Sequence, residues 1–414
     1  MIVMPEEILR AVCNDSRVRT VQMVARDDEG VYSPLGVTPH ARTVEGIIYA
    51  SPDSVRAVGL ASDGEHARIR IKVRVKGGRL KVRAFVRRGN RWGRDDIMVV
   101  PAHGQIFSRF KGLLETDVLS PKKVLIIGQG SGGAPITIGM VQSGVADFTL
   151  IDDDRLEVGN ILRHPLGLAD VGRYKTKAMA ELVQQKNPDA KVRTLEVRID
   201  WNCFDLVKRE VERADLVYSA VDNQRAKRVI NKACVEAEKT LIIGSAYPRA
   251  RGGYVLRVRP GRSLCYECFL SLLPKRAHEE EVSRQGQPDR IAYAGQPVPV
   301  EPGLASDIAP ISLMMVKLGI QELLADIPTT LRSLDGDFIA PYYRWFNRRE
   351  HDTEKWEPLE FNIDGFHILR WYGIAIPAYE GCSVCGDYVG VQCRDANTTL
   401  LASDMAFFGG QKGE

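Results

Sequence analysis

The sequence has no apolar run of the length, about eighteen residues, that a membrane helix needs. Its first ten residues, MIVMPEEILR, have neither the basic start nor the long apolar segment of a secretion signal. We therefore expect a cytoplasmic protein without a membrane partner. Cysteine is also scarce, with 8 in 414 residues, which excludes a dense disulfide scaffold as the source of stability.

The sequence also has little excess charge of either sign. The 57 Lys and Arg residues nearly balance the 53 Asp and Glu residues, and a net charge of +4 is too small over this length to indicate nucleic acid as the main partner. We expect no nucleic acid partner, and any basic surface must be local. With 44% hydrophobic and 27% charged residues, the chain is typical of a globular protein and not of a disordered, collagenous or coiled-coil one.

Residues 1–104 predict a small β-rich N-terminal domain that docks a partner or substrate. From residue 68 the chain alternates basic and apolar residues as RIRIKVRV, has a turn signal at Gly77-Gly78, and continues as RLKVRAFV. This period-two pattern is typical of a half-buried β-hairpin. One face of the hairpin is either a solvated outer face or a surface for an acidic partner. It carries Arg68, Arg70, Lys72, Arg74 and Lys76.

Residues 105–414 predict a second domain of the α/β class. From Val124, the short apolar runs VLIIG, FTLID, LVYSAVD and LIIGSA alternate with helical segments, the first two of which begin at about Gly133 and Lys175. Strands that alternate with helices of this length predict βαβ units. We expect a Rossmann-like fold with a mixed, mostly parallel sheet that is covered on both faces.

A glycine-rich motif follows the first of these strands. Gly128, Gly130 and Gly133 have the spacing G-x-G-x-x-G, with Gly132 beside the last, and backbone amides at the start of the next helix can bind a phosphate. Asp152 ends the second strand about twenty residues later, where an acid would bind a ribose hydroxyl. Alone, this pattern also fits a dinucleotide dehydrogenase or a tight turn without a ligand.

Charged residues after the motif favour ATP over a dinucleotide. The segment LIDDDRLEVGNILRHPLG contains Asp154, Asn160 and Arg163, and the next helix begins with Lys175. Two added cations are of little use for a diphosphate, but they can neutralise a triphosphate and the charge that develops on a leaving pyrophosphate. A later strand ends in SAVDN, so Asp222 and Asn223 reach the carboxyl edge of the sheet, where a carboxylate is suited to hold Mg²⁺.

The order of these motifs, from the glycine loop through D-x-D, N-x-x-R, lysine and D-N to CYEC, resembles the ThiF/MoeB/HesA family, whose adenylating fold is shared with ubiquitin-activating enzymes. The resemblance covers about residues 105–414. It implies that a carboxylate attacks the α-phosphate of ATP, forms an acyl adenylate and releases pyrophosphate. It also implies that Asp152 binds the ribose, that Asn160, Arg163 and Lys175 bind the phosphates, and that Asp222 positions Mg²⁺.

The segment Phe107-Ser108-Arg109 resembles the aromatic-x-arginine segment by which family members insert an arginine into the ATP site of a partner subunit. By that resemblance, Arg109 contacts a phosphate in trans and the active unit is a homodimer. The alternative is an exposed helical arginine.

Two C-x-x-C pairs predict a structural zinc site. Cys265 with Cys268 and Cys382 with Cys385 supply four thiolates, the ligand set that structural Zn²⁺ prefers. With all four positions occupied by protein, we expect a closed site without a catalytic water. In the family that the sequence resembles, such a site ties the C-terminal segment to the core.

The Pro- and Gly-rich stretch 274–307, with its acidic run Glu279–Glu281, resembles the crossover loop that passes over the substrate's C-terminal tail. No cysteine occurs from Phe269 to Gly381, so transfer to a thioester in this loop is in doubt. The protein stops at the adenylate, or another thiol acts, or the small residues of Ala292-Tyr293-Ala294 replace the thiol. Cys234 is predicted to be a core residue, whereas the sequence does not rank Cys13, Cys203 and Cys393.

These observations favour an enzyme that adenylates the C-terminal carboxylate of a small ubiquitin-like or sulfur-carrier protein. The sequence RHPLG followed by DVGRYKT resembles bacterial ThiF-type proteins that accompany ubiquitin-conjugating-like partners. Adenylation of a peptide C-terminus in antibiotic maturation is an alternative, and so is a non-catalytic scaffold with the same fold. A nicotinamide-dependent oxidoreductase would need neither Lys175 nor a zinc site.

Overall fold

The computed structural model describes residues 1–15, 19–26, 31–33, 43–49, 68–76, 79–100, 107–110, 112–272, 303–325, 327, 336–349, 367–379 and 381–386. The chain divides into two compact units, Met1–Arg109 and Phe110–Glu414. Within the described parts of the chain, no helix is both long and apolar enough to cross a membrane.

In its described residues, the first unit has an eight-stranded sheet and the helix α1 (Glu6–Asp15), which contributes Leu9 and Val12 to an apolar core. Across the sheet the strand order is β7-β6-β5-β4-β2-β3-β1-β8. The strands are β1 (Ile2–Pro5), β2 (Arg19–Arg26), β3 (Val31–Ser33), β4 (Thr43–Tyr49), β5 (Ile69–Lys76), β6 (Arg79–Arg88), β7 (Arg91–Asp95) and β8 (Ile97–Val100).

The structure confirms the hairpin that the alternating pattern predicts. Strands β5 and β6 pair antiparallel, from Ile69 opposite Val86 to Lys76 opposite Arg79. Ile69, Ile71 and Val73 are fully buried in the core of this unit. Since neighbouring residues of a strand point to opposite faces, the basic residues between them lie on the other face.

The second unit contains another eight-stranded sheet, with the order β11-β10-β9-β12-β13-β14-β15-β16. The first five of these strands are parallel, and the last three add antiparallel pairs at one side. This confirms the predicted α/β fold with a mixed, mostly parallel sheet. The strands are β9 (Lys123–Ile127), β10 (Asp147–Ile151), β11 (Lys191–Leu195), β12 (Leu216–Ser219), β13 (Leu241–Ala246), β14 (Gly252–Val258), β15 (Tyr342–Phe346) and β16 (Trp371–Ile374).

Apolar residues cover both faces of this sheet. In β9, Val124 and Ile126 belong to one hydrophobic cluster, while Leu125 and Ile127 belong to a second cluster. A strand buried on both faces must be apolar at every position, which explains the continuous run VLII. The helices are α2 (Thr116–Leu119), α3 (Gly133–Gln142), α4 (Lys175–Lys186), α5 (Phe204–Arg213), α6 (Gln224–Glu236), α7 (Tyr266–Leu272) and α8 (Ala305–Leu323).

The strand order reverses direction at β9. The chain passes from β9 to β10 and β11 on one side, and then continues with β12 on the other side of β9. In open sheets of this kind, ligands bind in the crevice beyond the carboxyl ends of the strands at such a reversal. The ends of β9, β10 and β12 bear the glycine motif, Asp152 and Asp222, so the topology brings the predicted nucleotide-binding segments to one edge.

Candidate functional site

The glycine loop between β9 and α3 is folded tightly against the end of β12. Gly128 has φ +92°, and a Cβ there would lie 2.7 Å from the Ala220 carbonyl oxygen. A Cβ on Gly133 would collide with the Gly128 carbonyl oxygen. Both positions therefore need glycine for backbone packing. Among the described residues, and apart from the chain neighbours, no heavy atom lies within 4 Å of the Cβ position at Gly130 or Gly132, so this part of the structure leaves room for a phosphate.

Helix α8 contacts the glycine loop, although the two contact residues are 180 positions apart in sequence. The Ser312 hydroxyl donates a hydrogen bond to the Gly132 carbonyl oxygen at 2.9 Å, and Ser312 is buried. This hydrogen bond restrains the loop, and a restrained loop loses less entropy when a phosphate binds. Nothing in the local sequence indicates this contact, because a single serine in a helix is not a recognisable motif.

The carboxylate of Asp152 is tied to the same loop. One oxygen accepts the Gln129 backbone N–H at 2.6 Å, and the other accepts the Asp154 backbone N–H at 2.8 Å. Burial raises the pKa of Asp152 to about 6, although the Lys175 charge and the Gln129 N–H act in the opposite direction. The remaining lone pairs of an ionised carboxylate can accept hydrogen bonds from ribose hydroxyls.

Lys175 begins α4 and is buried with its ammonium group against Asp154. The side chain of Lys175 is 6% exposed and that of Asp154 is 41% exposed. The pair places a lysine charge close to Asp152, whose pKa responds to that charge. A buried ammonium at a strand edge is suited to neutralise phosphate oxygens.

His164 is a residue that the sequence analysis missed. Its Nε2 lies 2.8 Å from the Gln129 carbonyl oxygen, and its Nδ1 accepts the Leu166 N–H at 3.2 Å. These bonds assign the proton of a neutral imidazole to Nε2, which donates to Gln129. Burial lowers the pKa of His164 and so favours this neutral form. His164 therefore links the segment that bears Arg163 to the glycine loop.

Asn160 and Arg163 lie in a short 3-10 segment, Val158–Arg163, that follows β10. The Asn160 side-chain oxygen accepts the Glu157 backbone N–H at 3.2 Å, so it also stabilises the segment itself. Arg163 is half-buried, and the described part of the chain offers its guanidinium no hydrogen bond or ion pair. Its charge is available to a ligand at this edge.

Asp222 and Asn223 have different environments at the end of β12. The Asn223 side chain caps α6, where it accepts the backbone N–H groups of Arg225 at 2.8 Å and Ala226 at 3.3 Å. This helix cap explains Asn223 without a ligand. Asp222 is exposed and can present its carboxylate oxygens, the donors that Mg²⁺ prefers, toward the crevice edge.

The four predicted zinc ligands converge. The Sγ of Cys265 lies 3.9 Å from that of Cys268 and 3.6 Å from that of Cys382, and Cys268 and Cys385 are 3.3 Å apart. A tetrahedron of sulfurs about 2.3 Å from a central Zn²⁺ has edges of about 3.8 Å, so this donor set fits the ion. Hydrogen bonds from Cys265 and Cys385 lower the pKa of Cys268, and the Tyr379 N–H donates to the same sulfur at 3.4 Å.

Other predicted elements lie in the first unit or outside the described residues. Arg109 is exposed in the short turn Ser108–Phe110. Residues 274–302, which include the acidic run Glu279–Glu281 and the triplet Ala292-Tyr293-Ala294, and also Cys393, lie outside the described residues.

The remaining described thiols lie outside the four-cysteine cluster. Cys234 is fully buried in α6, which confirms the prediction of a core residue, and burial raises the pKa of its thiol. Cys13 is half-buried in α1, and burial raises its pKa as well. The Cys203 sulfur is close to backbone groups of Asp200 and Arg198.

Comparison with known proteins matches residues 103–355, more than half of the chain, to the ThiF family. The chain belongs to the ThiF family. The sulfur carrier protein ThiS adenylyltransferase of Escherichia coli is 32% identical over 152 residues, which are 36% of this chain and 59% of that protein. The adenylyltransferase and sulfurtransferase UBA4 of Debaryomyces hansenii is 32% identical over 181 residues, 43% of this chain and 37% of that protein.

This chain thus spans less than two thirds of the length of either relative. Among solved structures, E. coli MccB with ATP has a TM-score of 0.45 and 18% sequence identity, and the match covers 66% of this chain and 69% of MccB.

Proposed function

We propose that this ThiF-family protein uses ATP to adenylate the C-terminal carboxylate of a small ubiquitin-like or sulfur-carrier protein. The observation that carries the proposal is the set of groups at one sheet edge. The glycine loop follows β9, the carboxylate tied to that loop follows β10, and the buried ammonium at the start of α4 pairs with Asp154 near the end of β10. A dinucleotide site would not require the buried Lys175.

The reaction needs charge neutralisation more than a general base. The substrate carboxylate is ionised at neutral pH, so its oxygen can attack the α-phosphorus directly. A new O–P bond forms, the bond from the α-phosphorus to the bridging oxygen breaks, and the electron pair leaves with pyrophosphate. In this proposal Lys175 and Arg163 stabilise the charge on the leaving pyrophosphate, Asp152 orients the ribose, and the glycine loop supports the phosphates.

Two metals belong to the proposal. Asp222 would hold Mg²⁺, which supplies charge neutralisation at the phosphate oxygens. Cys265, Cys268, Cys382 and Cys385 would hold one Zn²⁺ that joins the segment after β16 to the start of α7, with no catalytic role.

The proposed partners follow from residue patterns. A homodimer would place Arg109 of one subunit at the phosphates of the other, and the stretch 274–307 would cover the tail of the carrier protein. The domain of residues 1–104 would dock a partner or substrate, with a ubiquitin-conjugating-like protein as a further partner.

Exposed apolar side chains near Arg163 support a dimer. They are Val158 (66% exposed), Leu162 (94%), Leu168 (71%) and Val171 (38%).

ATP–pyrophosphate exchange tests the proposal. The full chain, with Mg-ATP and a small carrier protein that ends in Gly-Gly, is expected to incorporate labelled pyrophosphate into ATP. The same carrier with an amidated C-terminus should support no exchange, because an amide cannot attack as a carboxylate does. Exchange with a short peptide but not with any carrier would instead favour peptide adenylation.

A variant pair separates catalysis from folding. Asp222→Asn should lower exchange by about 100-fold or more without a change in melting temperature, because it alters an exposed carboxylate. Asp205→Asn, an exposed acid in α5, is the matched control and should retain exchange. Wild-type exchange in Asp222→Asn would remove this residue from the site.

A further inference from the structure

The first unit carries the positive charge of the protein. Residues 1–109 include 19 Lys and Arg against 12 Asp and Glu, and the rest of the chain includes 38 against 41. The net charge of +4 for the whole chain is therefore the sum of +7 in one unit and −3 in the other. The expectation that no nucleic acid binds was based on the net charge of the whole chain. That value conceals the positive charge of the first unit.

Strands β5, β6 and β7 concentrate this charge on one face. The register places Lys72 opposite Arg83 and Arg74 opposite Lys81. One face of the three strands is formed by the even positions of β5, the odd positions from 79 to 87 of β6, and positions 92 and 94 of β7. This face holds nine basic residues. We call it the basic face. Six of its members are exposed: Arg74, Lys76, Arg79, Lys81, Arg83 and Arg94.

Acidic residues do not balance this charge within the three strands. The sequence has no Asp or Glu from residue 66 to residue 94. Asp95 lies opposite Ala84, on the core-facing side, and pairs there with the N-terminus at 3.2 Å and with Arg88 at 3.4 Å. Like charges directly opposite each other destabilise a sheet, and a solvated face normally mixes both signs. The uniform sign therefore indicates a polyanionic ligand.

Two aromatic rings lie among these charges. Phe85 is opposite Arg70 on one side and Arg94 on the other, and Trp92 is opposite Arg87. The Arg70 guanidinium lies 4.2 Å from the centre of the Trp92 ring. Rings and guanidinium planes on an open sheet are the groups on which the bases of a single strand stack.

We propose that the basic face binds single-stranded nucleic acid. Its cations would contact phosphates, and Phe85, Trp92 and Arg70 would stack on bases. Six of the nine cations are arginine, whose planar fork matches phosphate oxygens. An acidic protein would satisfy the charges but would leave the rings without a specific role. The inference concerns the first unit only and does not depend on adenylation.

Fluorescence anisotropy of the full chain with a labelled 20-nucleotide single strand tests this. If about four phosphates are contacted, the affinity should fall by roughly 50-fold between 50 and 200 mM salt. A duplex of the same sequence should bind more weakly, because paired bases cannot stack on the face. Tighter binding of the duplex would overturn the single-strand assignment.

Charge reversal locates the site. Arg74→Glu with Arg83→Glu should weaken binding at least about 10-fold and flatten the salt dependence, since two phosphate contacts are lost. Arg91→Glu with Lys191→Glu makes the same change in net charge outside the basic face and is the matched control. Both residues are exposed, and Arg91 is opposite Arg88, on the other side of β6. Equal losses in the two double variants would contradict the proposal.

Two further measurements distinguish the ligand class. Trp92→Leu should weaken binding without a change in the salt slope, because stacking is not electrostatic. Polyglutamate should compete poorly at equal charge concentration. Competition as strong as that of a single-stranded oligonucleotide would overturn the proposal in favour of an acidic protein surface. The exchange assay on each variant reports adenylation separately, so failure of one proposal is not failure of the other.

Discussion

The Nζ of Lys175 lies 2.7 Å from Oδ2 of Asp154, and the lysine side chain is almost fully buried. Removal of one partner from such a pair leaves a charge that is costly to desolvate, although the partial exposure of Asp154 reduces the cost. We expect Asp154→Asn to lower the free energy of unfolding by about 1–2 kcal/mol in urea titrations. Asp153→Asn, at the exposed neighbouring position, should change it by less than about 0.5 kcal/mol.

Asp152 predicts a pH dependence of ATP binding. Ribose hydroxyls donate to an ionised carboxylate, and the pKa of Asp152 is raised to about 6 by burial. The affinity for ATP should therefore fall as the pH decreases through 6, by up to about tenfold per pH unit. Isothermal titration with ATP between pH 5 and pH 8 measures this, and Asp152→Asn should bind more weakly with a flatter profile.

The raised pKa of Asp152 affects the free energy of unfolding in the opposite direction from the affinity for ATP. A carboxyl group with a raised folded pKa binds more protons in the folded state, so its stabilising contribution is present below about pH 4 and is lost as the pH rises toward 6. The difference in unfolding free energy between wild type and Asp152→Asn should follow this direction. A difference that grows more favourable to the wild type between pH 4 and 6 would contradict the assigned pKa.

The four-cysteine cluster predicts one tightly bound Zn²⁺ per chain. Cys382→Ser should release the metal and lower the melting temperature by at least about 5 °C, because the cluster joins residues 117 positions apart in sequence. Cys203→Ser is the control and should retain zinc, since its sulfur lies outside the cluster. Elemental analysis of freshly purified wild-type protein that shows no zinc would contradict the assignment.

The sequence predicted the parts of the site that depend on local spacing. Gly128 and Gly133 follow from the motif, and the structure gives the reason, since a side chain at either position would collide with backbone. The convergence of strand ends follows from βαβ order, since parallel strands end at the same edge. Asn223 was instead grouped with the ligand-binding residues at this edge, whereas its side chain caps α6 in the structure.

Contacts across long separations could not be predicted in this way. Ser312 and Gly132 are 180 residues apart, and His164 and Gln129 are 35 apart, and neither pair has a distinctive spacing. Such contacts depend on how α8 and the 3-10 segment Val158–Arg163 pack against the loop, which composition and periodicity do not specify. The charge of the basic face was visible in the alternating pattern, but the pairing of like charges needed the strand register.

The exposed apolar side chains near Arg163, among them Leu162, predict that the protein is a dimer. Leu162 is 94% exposed, and Leu162→Asp should convert a dimer to a monomer in light scattering, because it places a charge in the proposed interface. Ile339→Asp, at a position that is 72% exposed, should leave the mass unchanged. A monomeric wild type would contradict the prediction.

A mixing experiment tests whether Arg109 acts in trans. Arg109→Ala and Asp222→Asn should each be inactive in exchange. When the two variants are mixed and their subunits exchange, the mixture should recover up to about a quarter of wild-type exchange. About half of the dimers are then mixed, and each mixed dimer has one complete site. No recovery from dimers that do exchange subunits would show that Arg109 does not serve the partner's site.

The last prediction concerns the thiol. A thioester requires a reactive thiolate that reaches the acyl adenylate, and burial raises the pKa of both Cys13 and Cys234. Four other cysteines form the proposed zinc site, and the stretch 274–307 has none. With ATP, Mg²⁺ and the carrier, we expect an adenylate and no conjugate that dithiothreitol removes on a non-reducing gel.

A dithiothreitol-sensitive conjugate would overturn this prediction, and replacement of Cys13, Cys203 and Cys393 one at a time would then identify the thiol. If no conjugate forms, Ala292→Cys and Ala294→Cys test the loop directly. A conjugate gained by either variant, while exchange is unchanged, would mean that the loop reaches the adenylate and lacks only the nucleophile. The enzyme would then complete the first half-reaction of an activating enzyme and release the adenylate to another acceptor.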